Sequence, residues 1–139
     1  MYALRDWYNL PDCILETAER LRHVQIDNRP AIEIIKRFNY SDVFMYIDPP
    51  YLFGTRTTKQ YKHEMSDADH RCLLELLVTL KAKVMISGYE SELYNEVLQG
   101  WHKEYFKSNA EHGGFRIEVI WMNYERQITI QEFQQQKLF

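Results

Sequence analysis

Val43-Phe44-Met45-Tyr46-Ile47 is an unbroken apolar run of strand-forming residues, and it stops at once at Asp48-Pro49-Pro50. A strand with one wet face alternates apolar and polar residues. An unbroken run instead predicts a strand buried on both faces, as in a parallel sheet with helices packed against it. Two successive prolines cannot donate to a ladder, so they end the strand and hold its exit extended. In such sheets ligands bind at the carboxyl ends of the strands, which puts Asp48 where chemistry is expected.

The flanking segments supply the rest of an α/β fold. Pro11 to Arg22 opens with a proline suited to a first helical turn and sets Ile14, Leu15, Ala18 and Leu21 on one face, which predicts a helix. Val24 to Asn28 alternates like a short strand, and Ala31 to Phe38 places Ile32, Ile34, Ile35 and Phe38 at near-helical spacing. Leu52 to His63 shows no periodicity and predicts a long loop. Ser66-Asp67-Ala68-Asp69 resembles a capping box, and it opens a helix with a wide stripe from Leu73 to Leu80. Val84-Met85-Ile86 predicts the next strand, ending at Ser87-Gly88, and Ser91 caps a helix that runs through Leu98 and is closed by Gly100. Lys103 to Ser108 and Phe115 to Asn123, joined across the turn-rich Asn109 to Gly114, predict a hairpin. The expected fold is α/β: a three-layer sandwich whose mostly parallel sheet ends in an antiparallel hairpin, forming one partial domain over residues 1–139. Asn28, Asp48 and Ser87 then share the carboxyl edge.

Bulk properties narrow the chemistry. A formal net charge of -3 gives no global positive field, so contact with nucleic acid has to be local. Cys13 and Cys72 fit neither a CxxC pair nor a disulfide framework, which suits a reducing compartment. The five histidines lack zinc-type spacing, so no metal is expected. No serine occupies a G-x-S-x-G elbow, which leaves nucleophilic hydrolysis without support. No apolar run approaches the roughly 18 residues of a membrane span and no signal-peptide core is present, so a soluble cytoplasmic protein is expected.

Asp48-Pro49-Pro50-Tyr51 has the residue types needed to transfer a methyl group to a planar amino nitrogen. An aromatic amine is a poor nucleophile because its lone pair is delocalised into the ring. A carboxylate accepting one N–H and a backbone carbonyl accepting the other turn that lone pair toward a methyl donor. Asp48 and the carbonyl of Pro49 can be those acceptors. Tyr51 offers a face on which a flipped base stacks. A plain stiff strand exit, or a proline-rich adaptor ligand, is the bland alternative, and the segment contains no PxxP.

The string VFMYIDPPYL, then Thr55-Arg56 and Tyr61 in the following loop, then KVMISGYESELYNEVL and the closing EVIWMNY together resemble the DNA adenine methylase family in order and spacing. The resemblance runs from Leu10 to Tyr124. It implies a partial Rossmann-like methyltransferase fold, S-adenosylmethionine as cofactor, and adenine in DNA as substrate. By the same resemblance Asp48, Pro49, Pro50 and Tyr51 are the catalytic motif, and Lys83 to Tyr89 shapes the target-base pocket. The family begins with a Phe-x-Gly-x-Gly type segment that wraps the methionine part of the cofactor, and none of the five glycines here makes one. The cofactor-binding half and a helical DNA-recognition region are therefore expected in a missing N-terminal half. Weak or absent cofactor binding, and inactivity of the chain alone, are expected with it.

Further candidates follow from position. Arg56, Lys59 and Lys62, with Tyr61 among them, make a basic loop suited to clamping phosphates and filling the gap left by a flipped base. A solvated loop is the alternative. Asp27 and Asn28 end the strand before the catalytic one and could reach adenine or the cofactor, which makes Asp27, together with Asp48, a cofactor-binding candidate, unless they only cap that strand. Ser87 and Tyr89 are target-base candidates by their strand-end position, while Trp121 and Tyr124 are expected to pack. Two rival functions stay open: amino methylation of a guanine in ribosomal RNA, and a non-catalytic remnant that binds DNA or a partner. The long basic loop and the ISGYESELY segment favour DNA over RNA. An α/β half with an exposed edge is also expected to self-associate.

Overall fold

The computed structural model describes residues 2–53, 64–109 and 115–125, and it divides into two units, Met1–Pro30 and Ala31–Phe139. The first unit is dominated by α1, Tyr2–Leu21, which carries Pro11 in its interior. The sequence places the helix start at Pro11, and this is corrected. A proline removes one hydrogen bond and crowds the carbonyl four residues back, but it does not stop a helix whose neighbouring bonds persist. Trp7 and Leu10 continue the stripe of Ile14 and Leu21 toward the N-terminus, so the apolar spacing already extended upstream of the proline.

Val24 to Asn28 is not a strand, a second correction. A strand exists through its pairing partner, and none of the described strands pairs with this segment. Ile26 is 96% exposed despite the alternating pattern. Asp27 accepts hydrogen bonds from the backbone N–H and guanidinium of Arg29, so it closes a local turn rather than ending a strand.

The second unit contains α2 (Ala31–Arg37), β1 (Phe44–Ile47), α3 (Asp67–Leu77), β2 (Lys83–Gly88), α4 (Glu92–Val97), β3 (His102–Asn109) and β4 (Phe115–Met122). The strands form one sheet in the order β1-β2-β4-β3. β1 runs parallel to β2, β4 runs antiparallel to β2, and β3 runs antiparallel to β4. Three strands therefore point the same way and only β4 is reversed, because the closing hairpin folds back and inserts β4 beside β2. The α/β class, the parallel start and the antiparallel hairpin agree with the sequence, and together they fit a partial Rossmann-like methyltransferase fold.

α3 begins at the capping box read from the sequence. Ser66 Oγ accepts from the Asp69 N–H at 3.2 Å, and the Asp69 carboxylate accepts from the Ser66 N–H at 2.8 Å. The Ser66 hydroxyl also donates to Asp69 Oδ2 at 2.6 Å, and this bond first, then that of the Ser66 N–H, holds the Asp69 carboxyl below the usual carboxylate range. Leu73, Leu74 and Leu77 of α3 pack with Tyr94 of α4 and with Met45, Val84, Ile86, Val119 and Trp121 of the sheet in one buried cluster. Trp121 packs as expected. Gly100 takes a left-handed φ of 87°, which lets the chain turn out of α4 into β3.

The opposite face of the sheet is wetter than the apolar run predicts. Phe44 is 53% exposed and Tyr46 55%, so β1 is buried on one face only. Val, Phe and Ile in sequence report strand propensity, not how much of each face the rest of the fold covers.

Two asparagines fix the register of β2 and so position its exit. Asn39 Oδ1 accepts from the Lys81 and Ala82 N–H groups at 2.7 and 3.2 Å. Asn123 Oδ1 accepts from the Val84 N–H at 2.8 Å, and Asn123 Nδ2 donates to the Ala82 carbonyl at 2.9 Å. Among the described residues no helix is long and apolar enough to cross a membrane.

Candidate active site

Ile47 stands opposite Ile86 in the parallel pair β1–β2, so the next residue of each strand, Asp48 and Ser87, leaves the sheet at the same edge and on the same face. Ser87 Oγ donates to Asp48 Oδ1 at 2.8 Å, and the Tyr46 hydroxyl donates to Ser87 Oγ at 3.1 Å. The Ile47 carbonyl lies 3.3 Å from the same Ser87 oxygen. Ser87 is one of the two buried polar residues of the described chain, the other being His70, whose Nδ1 lies 3.0 Å from the Tyr94 hydroxyl.

Beside Asp48 opens a groove of about 570 Å³ whose walls include Ile32, Tyr46, Asp48, Pro49, Pro50 and Leu73. A groove of that size, mostly apolar but also lined by the carboxylate residues Asp48, Glu64 and Asp69, suits a small planar ligand with donor groups at its edge. Tyr51 follows the prolines and meets the Tyr89 ring edge-on, with centroids 4.7 Å apart and planes at 79°. Its hydroxyl is held well above the ordinary tyrosine value, first by burial and then by the Glu118 and Asp48 carboxylates, with Ser87 acting in the opposite direction. These surroundings favour the neutral phenol of Tyr51. Arg116 Nη1 donates to the Tyr89 hydroxyl at 3.2 Å, and its guanidinium carbon lies 5.8 Å from the centre of that ring.

The structure thus brings together Asp48, Pro49, Pro50, Tyr51, Ser87 and Tyr89 at one edge. Arg56, Lys59, Tyr61 and Lys62 lie outside the described residues, which omit 54–63. Asp27 belongs to the other unit and is ion-paired with Arg29. Tyr46, Arg116 and Glu118 were missed by the sequence reading. Tyr46 sits within the apolar run that identified β1 and reads there as packing. Arg116 and Glu118 lie about 70 residues downstream of the motif, and only the insertion of β4 beside β2 carries them toward it.

No curated protein matches the chain closely enough to count as a relative. The model of the D12 class N6 adenine-specific DNA methyltransferases matches residues 3–112. That span contains Asp48-Pro49-Pro50-Tyr51, the groove beside it and the β2 exit that contacts Asp48. The carboxylate at the parallel-strand edge, the stiff Pro-Pro turn and the aromatic platform are thus set in the segment the family shares, and the chain belongs to the D12 class of N6 adenine-specific DNA methyltransferases.

Proposed function

We propose that Asp48, Pro49 and Tyr51 receive an adenine flipped out of duplex DNA and present its amino group for methylation, with S-adenosylmethionine as the methyl donor. The observation that carries this reading is the state of Asp48. Ser87 occupies Oδ1, and Oδ2 has no hydrogen bond among the described residues. One acceptor is thereby left at the groove for one amino N–H. The Pro49 carbonyl takes the second N–H, and Tyr51 stacks on the base, a contact worth about 1 to 3 kcal/mol. Asp48 acts as an orienting and electrostatic acceptor throughout, and the proton leaves after transfer.

The described residues do not fit the methionine end of the cofactor. Gly88 has Trp121 and Tyr94 atoms 3.5 and 3.6 Å from where a Cβ would stand, so its face is packed against side chains. Gly100 closes α4. Gly100 has open space beside it but leads into β3 at the sheet edge opposite the Asp48 exit, so neither glycine sets bare backbone beside Asp48. In this proposal a further segment, the N-terminal half implied by the family resemblance, supplies that cradle and the DNA-sequence recognition. The chain alone then binds S-adenosylmethionine weakly. Arg116, held against Tyr89, is a candidate phosphate contact at the rim, alongside Arg56, Lys59 and Lys62.

The test is methyl transfer from labelled S-adenosylmethionine to duplex DNA and to ribosomal RNA side by side, with the chain alone and with the cofactor-binding half supplied in trans. Label in DNA supports the proposal, and label confined to RNA defeats it.

A further inference from the structure

We infer that Tyr46 and Ser87 are positioning residues, a hydroxyl relay that holds the Asp48 carboxylate in the one orientation that serves the amine; this rests on adenine methylation as the reaction of the site. A serine that is 3% exposed at the end of a core strand must have its hydroxyl satisfied. Its single proton has three acceptors in reach, Asp48 Oδ1 at 2.8 Å, the Ile47 carbonyl at 3.3 Å and the neutral Tyr51 hydroxyl. An ionised carboxylate only accepts, and hydrogen bonds to it are the stronger ones, so the proton goes to Asp48. The Tyr46 hydroxyl, 3.1 Å away, then has only a lone pair to meet and donates to Ser87. The chain of bonds has one direction, Tyr46 to Ser87 to Asp48, and each bond polarises the next.

The relay supplies what the backbone cannot. Pro49 and Pro50 restrict the main chain around Asp48, but the last torsion of an aspartate is broad and roughly two-fold, so its two oxygens exchange unless one is held. Ser87 holds Oδ1 and leaves Oδ2 as the single acceptor. The parallel register makes this possible, because Tyr46, Asp48 and Ser87 fall on the same face of adjacent strands. Ser87 is thereby reassigned. Its proton is committed to Asp48 and is not available to read the base.

The test uses the full chain labelled with ¹³C at aspartate Cγ, with the Asp48 signal assigned through D48N, and single-turnover methylation of duplex DNA. S87A and Y46F should both move the Asp48 signal, S87A further. Y105F, which removes the 3.1 Å bond from Tyr105 to Glu90 elsewhere on the sheet, should leave it in place. In methylation, S87A should lower kcat on the order of 10- to 100-fold, as small misplacements of a reacting group do. KM for DNA should stay within about twofold, since no contact to the base is lost. Y46F should lower kcat in the same direction by about threefold, the remote bond of a polarised chain. Tyr46 is more than half exposed, so Y46F reports even where S87A folds poorly. An Asp48 signal unmoved in Y46F overturns the relay, as does an S87A effect confined to KM, which would make Ser87 a base contact. A wild-type chain that transfers no methyl group, with the second half supplied, refutes the proposed function, and the Asp48 signal alone then decides the relay.

Discussion

Replacing Asn123 by alanine removes the clamp between the start of β2 and the end of β4. Two side-chain bonds are lost, from the Val84 N–H at 2.8 Å and to the Ala82 carbonyl at 2.9 Å. Each is worth about 1 kcal/mol net, and the figure rises where the orphaned group cannot reach water. Val84 is fully buried and Ala82 nearly so, but Asn123 itself faces solvent, so water satisfies part of what is lost. The expected destabilisation is about 2 kcal/mol. Urea unfolding followed by far-UV circular dichroism measures it, with an unchanged m value showing that the unfolded surface is the same. N123D keeps an acceptor for Val84 but sets a carboxylate oxygen against the Ala82 carbonyl, so it should not recover the loss. A change below about 0.5 kcal/mol in N123A, the level of an ordinary surface substitution, would show that the register of β2 does not depend on this residue.

Three other outcomes are expected. Y51F keeps the stacking face and should retain methylation within about threefold, whereas Y51A should lose the roughly 5- to 150-fold that corresponds to 1 to 3 kcal/mol of stacking; spectrophotometric titration should show the Tyr51 and Tyr94 hydroxyls, both raised chiefly by burial, ionising only as the protein unfolds. S66A should cost about 1 kcal/mol at pH 7 through loss of the N-cap. The Asp69 carboxyl is depressed in the folded state, so its share of the box is present above the unfolded carboxylate range and is lost as pH falls through the folded value; the gap between S66A and wild type in urea melts should therefore narrow from pH 5 toward pH 2. The half-exposed Phe44 and Tyr46 on an edge strand predict self-association, and a strictly monomeric sedimentation profile at high concentration would contradict it.

The sequence was most legible where local chemistry decides structure. Ser66-x-x-Asp69 specifies a cap through bonds within four residues, and it formed as read. Asp48-Pro49-Pro50 ends a strand by removing donors, and β1 stops at Ile47, where those residues end it. Periodicity around Leu73 to Leu77 fixed α3 and the face it buries. The reading failed where the outcome depends on partners distant in sequence. Val24 to Asn28 has the pattern of a strand, but a pattern does not provide the neighbour that makes one. Proline is common at a helix start, yet Pro11 stands inside α1, and Trp7 and Leu10 carry the helical stripe past it. The bond from Tyr46 through Ser87 to Asp48 spans 41 residues and depends on the register of two parallel strands, which no local signal encodes.

The most direct measurement of the central claim follows tritium from S-adenosylmethionine into duplex DNA with wild-type protein and D48A, each given the cofactor-binding half, with the labelled base identified after hydrolysis. Label recovered as N6-methyladenine with wild type and absent with D48A is the predicted result. Label incorporated equally by D48A, or carried on any base other than adenine, would contradict the assignment of Asp48 as the acceptor that presents the adenine amino group.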